Sequence, residues 1–138
     1  MSEEQITVLI ADDEVRITEL IKDFLNASGY NALVAYDGEE ALKIFNEHSE
    51  ISLVILDIMM PEMDGWQVCR EIRKTSNKPV ILLTARAEEF DQLMGFESGA
   101  DDYVTKPFSP AVLVKRIEAL LRRSNAADFV PNDNKGLV

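Results

Sequence analysis

Short apolar runs alternate along the chain with longer stretches in which apolar residues recur every three or four positions. Ile6–Ala11 is rich in β-branched residues and runs into acids, the pattern of a strand. Over Glu14–Ser28, Ile17, Leu20, Ile21, Phe24 and Leu25 recur at helical spacing, and Gly29 stands where a helix stops. Ala32–Ala35 is a second strand, and Asp37-Gly38 turns the chain into a helix over Glu39–Glu47 with Ala41, Leu42 and Phe45 on one side. Ile51–Leu56 is an unbroken apolar run, as expected of a parallel strand buried on both faces. A loop over Pro61–Gly65 leads to a helix over Trp66–Thr75, then a strand over Pro79–Leu83 and a helix over Glu88–Ser98 closed by Gly99. Tyr103–Thr105 is a short fifth strand, and Ser109–Arg123 a last helix with Leu113, Ile117, Leu120 and Leu121 inward.

Five strands alternating with five helices predict an α/β fold, a doubly wound parallel sheet flanked by helices on both faces. The strand order 2-1-3-4-5 is a common solution, with the functional crevice at the carboxyl ends of the strands. Residues 1–123 fill this domain. Residues 124–138 lose the helical period and read as a flexible tail or a truncated interdomain linker.

Composition narrows the function. The 25 Asp+Glu outnumber the 14 Lys+Arg, for a net charge of −11, so the chain is a poor binder of nucleic-acid phosphates. Contact with DNA is expected only through residues outside this sequence. No apolar run reaches the ~20 residues of a membrane span. The acidic start lacks a signal-peptide pattern, and Cys69 is the single cysteine, so neither an internal disulfide nor a cysteine-based zinc cluster can form. These features lead us to expect a cytoplasmic protein.

The chemistry sits at the strand ends. Asp12 and Asp13 follow the first strand, Asp57 the third, Thr84 ends the fourth and Lys106 the fifth. In the predicted sheet these ends are neighbours, so the five residues share one pocket. Three converging carboxylates repel one another unless a pKa rises or a cation intervenes. A hard ion such as Mg²⁺ suits one or two carboxylates with substrate phosphate oxygens. Lys106 adds a fixed positive charge, and the set fits phosphoryl transfer, which works by positioning and charge neutralisation. Asp57 leaves the central strand alone and is the candidate nucleophile, in the manner of enzymes that form aspartyl-phosphates. Asp12 and Asp13 would hold the metal, and Thr84 and Lys106 would contact phosphoryl oxygens. Taken singly each has a plainer reading: Asp13 as a helix cap, Asp57 as a turn residue, Lys106 as a solvated charge.

Together the segments match a family. Leu9-Ile10-Ala11-Asp12-Asp13-Glu14, Leu56-Asp57-Ile58-Met59-Met60-Pro61 with Asp64-Gly65, Leu82-Leu83-Thr84-Ala85 and Lys106-Pro107-Phe108 resemble the receiver (CheY-like) domain of bacterial two-component response regulators over about residues 6–123. The resemblance implies Asp57 as phosphoacceptor from a sensor histidine kinase. It implies Mg²⁺ held by Asp12, Asp13, Asp57 and the backbone carbonyl of Met59, with Thr84 and Tyr103 as switch residues and a cis Lys106–Pro107 bond. Such a chain catalyses its own phosphorylation and dephosphorylation and is not a turnover enzyme.

Gly99–Phe108 is similar to the OmpR/PhoB subfamily of transcription factors, whose receivers dimerise on phosphorylation through the fourth helix, fifth strand and fifth helix. The resemblance places Asp101, Asp102, Arg116 and Arg123 among the interface charges and Leu93, Phe96 and Val114 in its apolar patch. A further Arg–Glu pair of the subfamily appears here as Gln92 and Val112, which form no salt bridge. The same charges also read as a solvated face, and Leu93 and Phe96 as core. A C-terminal DNA-binding output domain is expected beyond this chain; the alternative is a complete single-domain receiver that signals by docking.

Two other uses of the fold fit less well. A flavin carrier needs a hydroxyl- and glycine-rich phosphate loop where Asp12-Asp13-Glu14 stands. A haloacid-dehalogenase-type hydrolase needs a second aspartate where Met59 stands. The sole histidine, His48, reads as a surface residue, and Trp66 and Cys69 as packing residues.

Overall fold

The computed structural model of the chain describes residues 5–85 and 99–129. Its elements run β1 (Thr7–Ala11), α1 (Val15–Ala27), β2 (Asn31–Ala35), α2 (Gly38–Glu47), β3 (Ile51–Asp57), α3 (Gly65–Arg73), β4 (Val80–Thr84), β5 (Asp102–Thr105) and α4 (Pro110–Phe129). The five strands form one parallel sheet in the order β2-β1-β3-β4-β5, as the alternation implies. Four helices lie among the described residues; the expected helix over Glu88–Ser98 is outside them.

Side-chain alternation divides the core into two layers. On one face Leu9, Leu56 and Leu82 meet Ala41, Phe45, Val68 and Ile72 of α2 and α3. On the other, Ile10, Ile55 and Leu83 meet Ile21 and Leu25 of α1 and Leu113, Ile117 and Leu121 of α4. The period breaks once. β1 pairs Thr7 with Ile51 but Val8 with Leu53, and this bulge turns Ile51 to the same layer as Val54.

Local chemistry fixes the helix starts nearest the site. Asp37 caps α2 by accepting from the Glu40 amide. Asp64 and Gln67 form a reciprocal capping box on α3. Gly65 is obligatory there, because a Cβ would run into the main-chain oxygen of Asp57. That contact seats α3 directly behind the end of β3.

Two expectations need correction. Leu20 and Phe24 of α1 are 41% and 38% exposed, while Thr18 is fully buried, its hydroxyl satisfied by donating to the Val15 carbonyl at 2.8 Å. The last helix does not stop at Arg123. It continues to Phe129, because Ser124–Phe129 contains two alanines and no breaker before Pro131.

Candidate active site at the strand ends

Four neighbouring strands deliver their ends to one place. The Asp12 amide donates to the Ala35 carbonyl at 3.2 Å, holding the first residue after β1 in line with the sheet. Asp57, the last residue of β3, is in register with Leu83, and Thr84, the last of β4, with Thr105. The Lys106 amide donates to the Thr84 carbonyl at 2.7 Å, and the Lys106–Pro107 peptide is cis, as the resemblance implies.

Burial is unusual for such polar residues. Asp12, Asp57 and Thr84 are 0%, 4% and 3% exposed. One carboxylate oxygen from each of Asp12, Asp13 and Asp57 lies within 4.8 Å of the others. Lys106 reaches into the group: Nζ donates to Asp12 Oδ2 at 3.0 Å and stands 3.4 Å from Asp57 Oδ1 and 3.4 Å from Glu14 Oε1. The other Asp12 oxygen accepts from the Glu14 amide at 2.9 Å. Asp13 is exposed at the mouth. It does not cap α1; Glu14 holds that position and makes no side-chain cap.

The electrostatics follow. Burial pushes the Asp57 carboxyl up, the neighbouring Asp12 charge pushes it further, and the partial relief from Lys106 leaves it at about 7. For Lys106, burial pulls downward but is outweighed by the hydrogen bond to Asp12 and the charges of Asp57 and Asp12, so its ammonium is held above its ordinary value. One ammonium is therefore shared by an excess of carboxylates. A hard divalent cation is the chemistry that completes such an oxygen-only set, and the donors present fit Mg²⁺. The Met59 side chain is 67% exposed on the loop after β3, which leaves its backbone carbonyl as the group it can offer.

The remaining expected residues scatter more widely. Tyr103 is half-buried against the layer of α2 and α3. Arg116 pairs with Asp102 of the same chain at 2.9 Å. Asp101 is bound by Arg73 at 2.7 Å. Val114 is not on an apolar surface patch: it is 8% exposed and packs in the core with Leu113 and Ile117, because it lies on the inward stripe of α4. Arg123 is exposed on α4, and Leu93, Phe96 and Gln92 lie outside the described residues. Sequence reasoning missed Glu14 as a partner of Lys106 and Gly65 as the seat of Asp57. The first was readable as a third acid beside Asp12-Asp13. The second had no local signal beyond the glycine.

No helix among the described residues is long and apolar enough to cross a membrane. Residues 8–118 match the model of the response regulator receiver domain. The chain is 51% identical over 132 residues to the probable transcriptional regulator ycf27 of Cyanidium caldarium, covering 94% of this chain and 53% of that protein. It is 43% identical over 129 residues to the transcriptional regulatory protein CpxR of Escherichia coli K12, covering 94% and 55%. The chain thus spans about half the length of these curated relatives. The receiver domain of the Francisella response regulator 1452 superposes with a TM-score of 0.82 at 38% identity, over 87% of this chain and 99% of that one. A buried acid triad with a lysine at the ends of a 2-1-3-4-5 sheet and these likenesses agree: the chain belongs to the response regulator receiver family, among relatives of the OmpR/PhoB type.

Proposed function

We propose that the chain accepts a phosphoryl group on Asp57 from the phosphohistidine of a sensor kinase. An Asp57 carboxylate oxygen attacks phosphorus in line; the O–P bond forms as the N–P bond to histidine breaks, and the imidazole leaves with the electron pair. The observation that carries this reading is the placement of Asp57, buried at the end of the central strand and within reach of both Asp12 and Lys106. Asp12, Asp13, Asp57 and the Met59 carbonyl would hold Mg²⁺, which neutralises phosphoryl oxygens when bound. Lys106 supplies a second, permanent positive charge to the transferring group. Water attack on the acyl phosphate resets the protein.

Thr84, beside Asp57 on the adjacent strand end, is placed to donate its hydroxyl to the phosphoryl group, and Tyr103 to follow its movement. The resulting bias of the β5 and α4 face favours a dimer. CpxR and ycf27 are named as transcriptional regulators and are about twice as long as this chain. By that likeness the receiver controls a DNA-binding output domain, and DNA is contacted only through it.

The test is intact mass after incubation with a small acyl-phosphate donor. A gain of one phosphoryl group that requires both Mg²⁺ and Asp57, and is lost with EDTA or in Asp57→Asn, supports the reading. No gain in a folded protein that also fails to form a beryllofluoride adduct overturns it.

A further inference from the structure

At the pole of the sheet opposite Asp57, one guanidinium ties three segments together. Arg73 ends α3. Its Nε donates to the Gly99 carbonyl at 2.8 Å, and Nη1 donates to the Lys78 carbonyl at 2.7 Å and the Ser76 carbonyl at 3.4 Å. Nη2 donates to Asp101 Oδ2 at 2.7 Å. That same carboxylate oxygen accepts from the Val80 amide at 2.9 Å, and the Asp101 amide donates to the Val80 carbonyl at 2.9 Å. The turn into β5 is thus sewn to the start of β4 and the end of α3. Gly99 makes this approach possible: its φ is +95°, and a Cβ there would stand 2.8 Å from Arg73 Cγ.

The Arg73 side chain is 20% exposed and that of Asp101 is 37% exposed. A pair so placed, with both groups further hydrogen-bonded, is more constrained than an ordinary surface ion pair. Asp102, one residue later, faces differently: it accepts from Arg116 through both carboxylate oxygens, at 3.2 and 2.9 Å. Adjacent acids in a strand point to opposite faces, so they cannot serve one interface alike.

We propose that Arg73 and Asp101 form an intrachain brace that fixes the start of β5, and that Asp101 is thereby withdrawn from the charges available to a second copy of the chain. Of the two acids that the subfamily resemblance assigns to a dimer, only Asp102 is left on the face shared with Arg116. This rests on the dimer reading above only for its second half; the brace itself is a property of the single chain.

A double-mutant cycle on the metal-free chain tests the first half. Arg73→Gln and Asp101→Asn are each expected to lower the folding equilibrium constant about fivefold or more, and the double variant to fall well short of the product of the two. Arg73→Lys is not expected to rescue, because one ammonium cannot span the acceptors on three segments. Sedimentation of the beryllofluoride-loaded chain tests the second half: Asp101→Asn is expected to leave the dimer constant within about twofold of the parent. Strictly multiplicative effects in the cycle overturn the brace. A tenfold weaker dimer in Asp101→Asn overturns the withdrawal. If the parent itself does not dimerise, the dimer reading fails while the cycle still decides the brace.

Discussion

The Lys106 ammonium stands 3.0 Å from Oδ2 of Asp12, a carboxylate with no solvent exposure. The amide of Glu14 serves the other oxygen, so Lys106 is the charge that neutralises a fully buried acid. Breaking a buried pair from one side strands the other charge, which typically costs about 3–5 kcal/mol. Lys106→Met should therefore unfold at lower urea concentration in EDTA at pH 8, and Mg²⁺ should restore part of the loss by binding the native state. Phosphoryl transfer from a small donor should slow by about 10²–10³-fold, as for removal of one preorganised electrostatic group. A variant as stable as the parent without metal would mean that Asp12 does not depend on this lysine.

Asp57 gives the fold a pH dependence of definite sign. Its carboxyl is raised by burial and by Asp12 to about 7, well above the unfolded value, so between those two values the native state holds a proton that the unfolded chain has lost. Stability of the metal-free protein should fall as pH rises from about 4 to 7 on account of this group. The solvent-facing mouth screens the effect, and about 1–2 kcal/mol is expected. Asp57→Asn should be more stable than the parent at pH 8, equal to it near pH 4, and without that slope. Urea titrations in EDTA at several pH values would show it; a parent that gains stability from pH 5 to 8 relative to Asp57→Asn would sink the idea.

The same proton competes with a cation. Mg²⁺ affinity should rise as pH passes through about 7, since the metal must displace the proton held by Asp57. Calorimetry in buffers of different ionisation heat would detect protons released on binding at pH 6 and few at pH 8.5. Asp57→Asn should bind more weakly and release none near pH 7. Equal proton release at both pH values would place the titrating group elsewhere.

Gly65 and Gly29 separate two roles of glycine. A Cβ at Gly65 would strike the Asp57 main-chain oxygen and stand 2.9 Å from Ile58 Cα, both backbone atoms that cannot give way cheaply. Gly65→Ala should cost about 2–3 kcal/mol and also weaken Mg²⁺ binding, because relief of the clash moves the end of β3. Gly29 has φ +93° and open space around it, so Gly29→Ala should cost about 1 kcal/mol of backbone strain and leave Mg²⁺ binding unchanged. Thermal unfolding with and without metal compares them directly.

The sheet was legible because its signals are local. Apolar runs end where acids begin, and that boundary put Asp57 at the end of the central strand before any contact was known. The site was legible because parallel topology brings strand ends together by rule. What escaped depended on partners distant in sequence or on geometry finer than a period. Arg73 and Asp101 are 28 residues apart, and nothing near either one announces the other. Leu20 and Phe24 fit a helical stripe, but the buried face of α1 is narrower than their spacing suggests and Thr18 fills it instead. Ser124–Phe129 has no apolar period, yet α4 propagates through it for want of a breaker.

Val114 shows how a single register position decides between core and interface. It follows Leu113 on α4 and is 8% exposed, packed in the layer with Ile117 and Leu121, whereas Val112 is 51% exposed. Val114→Ala should therefore destabilise the isolated chain by about 1–3 kcal/mol through lost burial and the cavity left behind. Val112→Ala should stay within about 0.5 kcal/mol of the parent, as for a surface substitution. Urea unfolding of the two variants at one pH, below any concentration at which the chain self-associates, reads the difference. Should Val114→Ala prove as stable as the parent while only its self-association weakens, the residue would belong to a surface patch after all, and α4 would have to be rotated by most of a residue from the position found.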